Sequence, residues 1–235
     1  MKRTVIITGG TRGLGREITL AFARAGYTVL ATYASDENAA HKLNAILSEM
    51  KATGAAVHHD VTSDDAGLWD RPEIREAESL TLVHNACAAF SPTPLHLLSW
   101  QDFEKNLAVA VKGAWQSSQR LIPFMLKRKS GTIMTILTSA VDGMPPKGFA
   151  AYVTAKHALH GFTLALAAEY NGRGLKAFSI SPGYMETALS GQWDPRLRDL
   201  IRANSRISFP PTVANRIVEL VQDAGTPGKG EIYPV

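Results

Sequence analysis

A single cysteine, Cys87, is all the thiol chemistry this 235-residue chain carries. One cysteine excludes an internal disulfide framework and fits a reducing compartment. No apolar run approaches the ~20 residues that a membrane-spanning helix needs. Met1-Lys2-Arg3 has the charge of a signal-peptide start, but the apolar stretch behind it ends at Gly9-Gly10, too short for the central region of one. A cytoplasmic protein with no membrane partner is expected. Aromatic residues make up only 8% of the chain, and no basic block or stripe interleaved with them runs along it, which argues against nucleic acid. Lys and Arg number 25 against 21 Asp and Glu, and the resulting net charge of +4 is too slight to select a class of partner. The histidines show no metal-ligand spacing, so no metal site is expected. No Pro/Gly/Ser-rich linker, fixed-period repeat or low-complexity tract interrupts the chain, and residues 1–235 read as one domain.

What is present is an alternation. Short apolar, β-branched runs at residues 4–8, 28–32, 55–59, 80–84, 132–138 and 176–181 read as strands. Between them, residues 16–25, 39–52, 100–129 and 151–170 show helical spacing, the third as one long helix or two abutting ones, and a last helix covers 213–222. Strands apolar on both sides and separated by helices predict an α/β fold, a doubly wound parallel sheet with helices on both faces.

The first strand runs straight into Thr8-Gly9-Gly10-Thr11-Arg12-Gly13-Leu14-Gly15 and then a helix. Glycines at such a turn let backbone N–H groups approach a ligand with no Cβ in the way. The helix start behind them carries unpaired donors and a partial positive charge suited to a pyrophosphate. Strand before and helix after is the context that makes a glycine-rich segment a dinucleotide-binding candidate, where alone it is a plain turn. Further along, Tyr152-Val153-Thr154-Ala155-Lys156 puts a phenol and an ammonium on one helix face. A neighbouring cation favours the phenolate, which would bring the phenol's pKa down from near 10 toward working pH. Ser139 is expected at the carboxyl end of the fifth strand, where open α/β sheets bind ligands and where its hydroxyl can hold the oxygen that Tyr152 protonates.

Together these motifs resemble the classical short-chain dehydrogenase/reductase family, including its 3-oxoacyl-carrier-protein reductase-like members. The match rests on Thr8-Gly9-x-x-x-Gly13-x-Gly15, Asp60-Val61, His84-Asn85-Ala86-Cys87, Ser139, Tyr152-x-x-x-Lys156, and Pro182-Gly183 with Thr187. The resemblance implies a Rossmann-type sheet of about seven strands and hydride transfer between a nicotinamide and a carbonyl or alcohol carbon. It implies Tyr152 as general acid, Lys156 as its activator and ribose ligand, and Ser139 as the substrate-oxygen ligand. Gly9, Thr11, Arg12, Gly13, Leu14 and Gly15 would cradle the cofactor. Asp60 and Val61 would hold its adenine, Asn85 and Ala86 its adenosine ribose, and Pro182, Gly183 and Thr187 its nicotinamide end. This chain departs from the pattern at Cys87, where the family has glycine, and at Ala110, where it has an asparagine supporting a proton-relay water; Asn106 lies one turn earlier.

No acidic residue stands at Tyr33, where an NAD-preferring relative would hold the ribose 2′-OH, and Arg12 stands where NADP-preferring relatives place a cation for the 2′-phosphate. NADP(H) is therefore favoured over NAD(H). The resemblance points to a carbonyl substrate, first a β-ketoacyl or polyketide-type thioester, small or carrier-bound. Lys127-Arg128-Lys129 and Arg173 lie where relatives dock an acyl carrier protein, though the same run reads equally as a basic turn closing a helix. Residues 184–209 are expected to form a substrate lid, whose arginines fit an anionic substrate or a solvated helix face. A homo-oligomer, tetramer or dimer, is implied. The alternative is a dinucleotide-binding sensor or scaffold of the same fold without turnover.

Overall fold

In the computed structural model, which describes residues 1–187 and 189–235, strand β1 (Arg3–Ile7) shows how the two layers of core arise. Successive side chains of a strand point to opposite faces. Val5 and Ile7 therefore face α1 (Gly13–Arg24) and α8 (Pro210–Gln222), in a cluster with Ile18, Phe22 and Ile217. Ile6 faces the other way, packed with Leu121, Met125 and Leu166. All are buried, and each such side chain contributes about 1.5–3 kcal/mol on leaving water.

The same two-sided burial runs through β2 (Thr28–Tyr33), β4 (Ser79–His84), β5 (Gly131–Ile136) and β6 (Leu175–Ser181). With β3 (Gly54–His58) and β7 (Lys229–Pro234) they form a seven-stranded, wholly parallel sheet in the order β3-β2-β1-β4-β5-β6-β7. The Rossmann-type α/β arrangement expected from the sequence is present. The chain winds outward from β1 in one direction to β3, then returns to β4 and winds in the other. The switch between β1 and β4 opens a crevice at their carboxyl ends, the usual ligand position in such sheets.

The remaining helices are α2 (Glu37–Glu49), the short α3 (Pro72–Arg75), α4 (Trp100–Leu107), α5 (Gly113–Arg128), α6 (Ala150–Tyr170) and α7 (Pro195–Asn204). Between α4 and α5 a π-helical turn, Ala108–Lys112, joins the two without a loop, so the long helix expected from the sequence is continuous but locally widened by one extra residue in the turn. Ala110 sits in that turn. β7 and α7 were not read from the sequence as elements. β7 (KGEIYP) contains glycine and proline and pairs irregularly with β6, and α7 buries only Ile201, so neither carries a strong apolar period.

Candidate active site

Backbone contact builds the cleft floor. Gly9 and Gly13 have φ of +63° and +53°, which side chains other than glycine rarely adopt. A Cβ on Gly15 would stand 2.2 Å from the Gly9 carbonyl oxygen and 2.5 Å from Asn85 Nδ2, so glycine is required there by close approach. Asn85 explains that approach: its amide donates to the carbonyls of Thr8 and Gly9, each at 3.0 Å. Thr8 Oγ1 in turn accepts from the N–H groups of Asn85 and Ala86, at 3.1 and 3.0 Å. The loops after β1 and β4 are thus bonded into one platform. Helix α1 starts from it with no side-chain cap and no acidic residue in its first turn, leaving N–H donors free for an anion.

The cleft above this platform, about 930 Å³ including its open mouth, is lined by Gly9, Arg12, Gly13, Leu14, Gly15, Asn85, Lys156 and Thr187 of the cofactor residues expected from sequence, and by Tyr152. Glycine cradle, free helix donors and buried lysine fit an elongated dinucleotide. Thr11 is buried behind the turn, and Ala86 lies against Gly9. Asp60 and Val61 do not line the cleft. The Asp60 carboxylate accepts from the Thr62 N–H and hydroxyl at 2.8 Å, which holds it below the usual carboxylate range, while Val61 packs under Gly113. Pro182 and Gly183 are also off the lining: the Pro182 carbonyl accepts from Ser139 N at 2.7 Å, and Gly183 N donates to Ser208 Oγ at 2.8 Å.

Tyr152 and Lys156 sit one turn apart at the start of α6, which a buried hydroxyl chain fixes against the sheet. Thr135 of β5 is bonded to Thr163 of α6 at 2.9 Å and to Ser179 of β6 at 2.8 Å. Lys156 is buried and donates to the Ile136 carbonyl at 2.7 Å; burial lowers its pKa. The Tyr152 phenol is pushed up, first by burial and next by the Cys87 thiol, with the nearby Thr138 hydroxyl opposing. The sequence had suggested a pKa lowered by Lys156. Burial outweighs the cation, whose Nζ lies 5.7 Å from the ring centre and is committed to Ile136.

Ser139 is not where the sequence placed it. β5 ends at Ile136, and Ser139 opens a short 3-10 turn, Ser139–Val141, and does not line the cleft. Thr138 does not line the cleft either; it continues the extended direction of the strand at φ −163° and ψ 146°, its hydroxyl accepts from Ala140 N at 3.3 Å, and it lies near enough to the phenol to favour the phenolate slightly.

Both departures from the family pattern are accommodated. Among the described residues only Lys51 and Lys129 are non-glycine with positive φ, so Cys87 takes its place without backbone strain. Its half-buried thiol shares the cleft wall with Tyr152 and Lys156, and desolvation raises its pKa against the opposing charge of Lys156. Asn106 does not stand in for Ala110 at Lys156: its amide donates to the Asp102 carbonyl at 3.0 Å, facing an adjoining cavity.

Aromatic rings close the remaining side, and no period in the sequence announced them. Phe90 stacks on Tyr152 at 4.7 Å between ring centres and 14° between planes. Phe149 and Trp193 pack around Phe90, and Trp193 Nε1 donates to the Phe90 carbonyl at 3.0 Å. Trp193 comes from the expected lid segment, 184–209, of which Ala188 lies outside the described residues. In that segment Arg202 pairs with Glu186 at 3.0 Å and Arg206 donates to the Ser181 carbonyl at 2.7 Å, so two of its arginines are held by the protein itself. At the far end of the cleft Arg12 meets Asp36 at 3.6 Å, the arginine largely exposed and the aspartate partly so. Among the described residues no group of three or more His, Cys, Asp and Glu is arranged to hold a metal, and no helix is long and apolar enough to cross a membrane.

The family model described as short chain dehydrogenase matches residues 3–198. The chain is 27% identical over 230 residues to the 3-oxoacyl-acyl-carrier-protein reductase FabG of Staphylococcus epidermidis, covering 95% of this chain and 93% of that protein. It is 29% identical over 200 residues to 3beta-hydroxysteroid dehydrogenase 1 of Eggerthella lenta, covering 83% and 76%. Among solved structures, a proposed NAD(P)-dependent gluconate 5-dehydrogenase from Beutenbergia cavernae, with NADP bound at low occupancy, is similar at a TM-score of 0.86 and 29% identity, over 99% of this chain and 94% of that one.

Proposed function

Since this chain belongs to the short chain dehydrogenase family and is an NAD(P)-dependent oxidoreductase, we propose that it reduces a carbonyl compound to an alcohol with NADPH, Tyr152 giving the proton. The observation that carries this reading is the partly buried Tyr152 phenol at the cleft wall, its pKa pushed up by burial, with buried Lys156 one turn below it on the same helix face. When bound, the cofactor supplies hydride to the carbonyl carbon. The phenol protonates the carbonyl oxygen, and a hydroxyl of the adjacent Thr138–Ser139 pair shares that oxygen and fixes its direction. Lys156 keeps a positive charge beneath the phenol as the proton leaves, which stabilises the phenolate formed. The glycine loop and the free N–H groups of α1 would hold the pyrophosphate, and Arg12 would pair with the 2′-phosphate.

The β-ketoacyl thioester remains the first substrate class to test, because the relatives named above include a reductase of that class. Its carrier protein would have to dock elsewhere than expected within one chain. Lys129 and Arg173 flank the amino ends of β5 and β6, where Gly131 pairs with Leu175, whereas the cleft lies past Ile136 at the other end. Six strand residues separate them, about 20 Å. The test is loss of NADPH absorbance against ketones, β-ketoacyl thioesters and quinones. Tyr152→Phe should abolish turnover and keep NADPH binding. Tight NADPH binding with no carbonyl reduced would favour a sensor or scaffold instead.

A further inference from the structure

We infer that Phe90 sets the size of group the site accepts on the carbonyl carbon, and that the substrates are compact carbonyls bearing a methyl or similarly short group on that side. This rests on the reductase reading above. A carbonyl oxygen accepting the Tyr152 proton must lie within about 2.6–3.2 Å of the phenol oxygen. Its carbon lies one bond beyond, so a group on that carbon which turns back toward the protein runs along a face of the phenol ring. One face of that ring is already covered by the near-parallel ring of Phe90, 4.7 Å away.

Phe90 cannot yield easily. Phe149 stands edge-on to it at 5.1 Å and Trp193 leans on it at 5.3 Å. Both are almost fully buried, and Phe149 and Trp193 also pack on each other. The Trp193 indole bond to the Phe90 carbonyl fixes the backbone as well as the ring. Swinging Phe90 aside would break this cluster, and dense interiors resist such moves. A longer chain on that side would therefore meet the Phe90 ring, which stands between the phenol and the adjoining cavity that Phe90 and Asn106 line, while the opposite side of the carbonyl opens to the cleft past Ala89 and Leu189. A short β-ketoacyl thioester satisfies this, with its methyl end toward Phe90 and its thioester outward; so does a small free diketone.

The experiment compares short and long members of two series: butanedione against hexanedione, and acetoacetyl against β-ketooctanoyl thioesters of N-acetylcysteamine. The wild-type chain should favour the shorter member in kcat/KM by roughly tenfold or more, the discrimination that one or more methylenes bring in a tight apolar pocket. Phe90→Ala, and Phe90→Leu as the gentler change, should shift the ratio toward the longer member by about tenfold. NADPH fluorescence titration confirms that each variant is folded. Equal use of long and short substrates by the wild type, or an unchanged ratio in both variants, overturns the inference while leaving the reductase in place. A wild type that reduces no carbonyl overturns the function and the inference with it.

Discussion

Two adjacent hydroxyls, Thr138 and Ser139, show how much one residue of register decides. Both are polar and both follow the end of β5; the family pattern points to Ser139, while in the fold Thr138 is the one near enough to the phenol to affect its pKa and Ser139 opens the 3-10 turn. Thr138→Val should lower kcat by roughly a hundredfold, the cost of losing one donor at a reacting oxygen, and Thr138→Ser should restore most of it. Ser139→Ala, by comparison, should cost only a few-fold; a Ser139 effect equal to that of Thr138→Val would return the role to Ser139. Arg12 poses a second residue-scale question. Its ion pair with Asp36 is exposed and contributes about 0–1 kcal/mol to stability. Arg12→Ala should therefore leave the melting temperature nearly unchanged while weakening NADPH at least tenfold more than NADH, measured by titration of cofactor fluorescence, since a charge-assisted contact to phosphate is worth about 1.5–3 kcal/mol. Equal weakening of both cofactors would remove the 2′-phosphate role.

Elements were legible where a local rule governs them. The Tyr152-to-Lys156 spacing specifies one helix face, and α6 presents both residues to the cleft. The glycine spacing at residues 9–15 was legible because it combines strand, tight turn and helix start. Asn85 was readable as a motif member, but not as the amide that stitches the two loops together, because that role depends on a partner 77 positions away. The ring cluster was illegible for the same reason: Phe90 and Trp193 are 103 residues apart and share no period. Glycines test this distinction between local and distant constraint. Gly161, exposed inside α6, has nothing within 4 Å of an added Cβ, so Gly161→Ala should stabilise the chain by about 0.5–1 kcal/mol. Gly15→Ala must push apart the α1 start and the Gly9 carbonyl, and should cost about 1–3 kcal/mol and most of the cofactor affinity. Thermal unfolding and NADPH titration of the two variants check both signs.

At the scale of the whole molecule, the sheet places its titratable weak point directly beneath the site. His84 ends β4, wholly buried, with Nε2 paired to Ser118 of α5 at 3.0 Å. Burial holds its pKa down to about 3, against about 6.5 in an unfolded chain. The ring is thus neutral when folded, and between those two values the unfolded state binds a proton that the folded state refuses. Stability from this residue is complete above pH 6.5 and is lost progressively as pH falls toward 3. His59, also buried and also lowered, acts in the same direction. For His84 alone the loss amounts to about 2 kcal/mol between pH 7 and pH 5. β4 carries the His84-to-Ala86 turn that bonds to the glycine loop, so acid should loosen the cofactor platform along with the core. Urea unfolding at pH 7 and pH 5 should show this loss in the wild-type chain. His84→Gln, which keeps a hydrogen-bonding side chain but cannot be protonated in this range, should show a smaller one even if it is less stable at both values. A variant whose stability falls as steeply with acid as the wild type would place the weakness elsewhere in the fold.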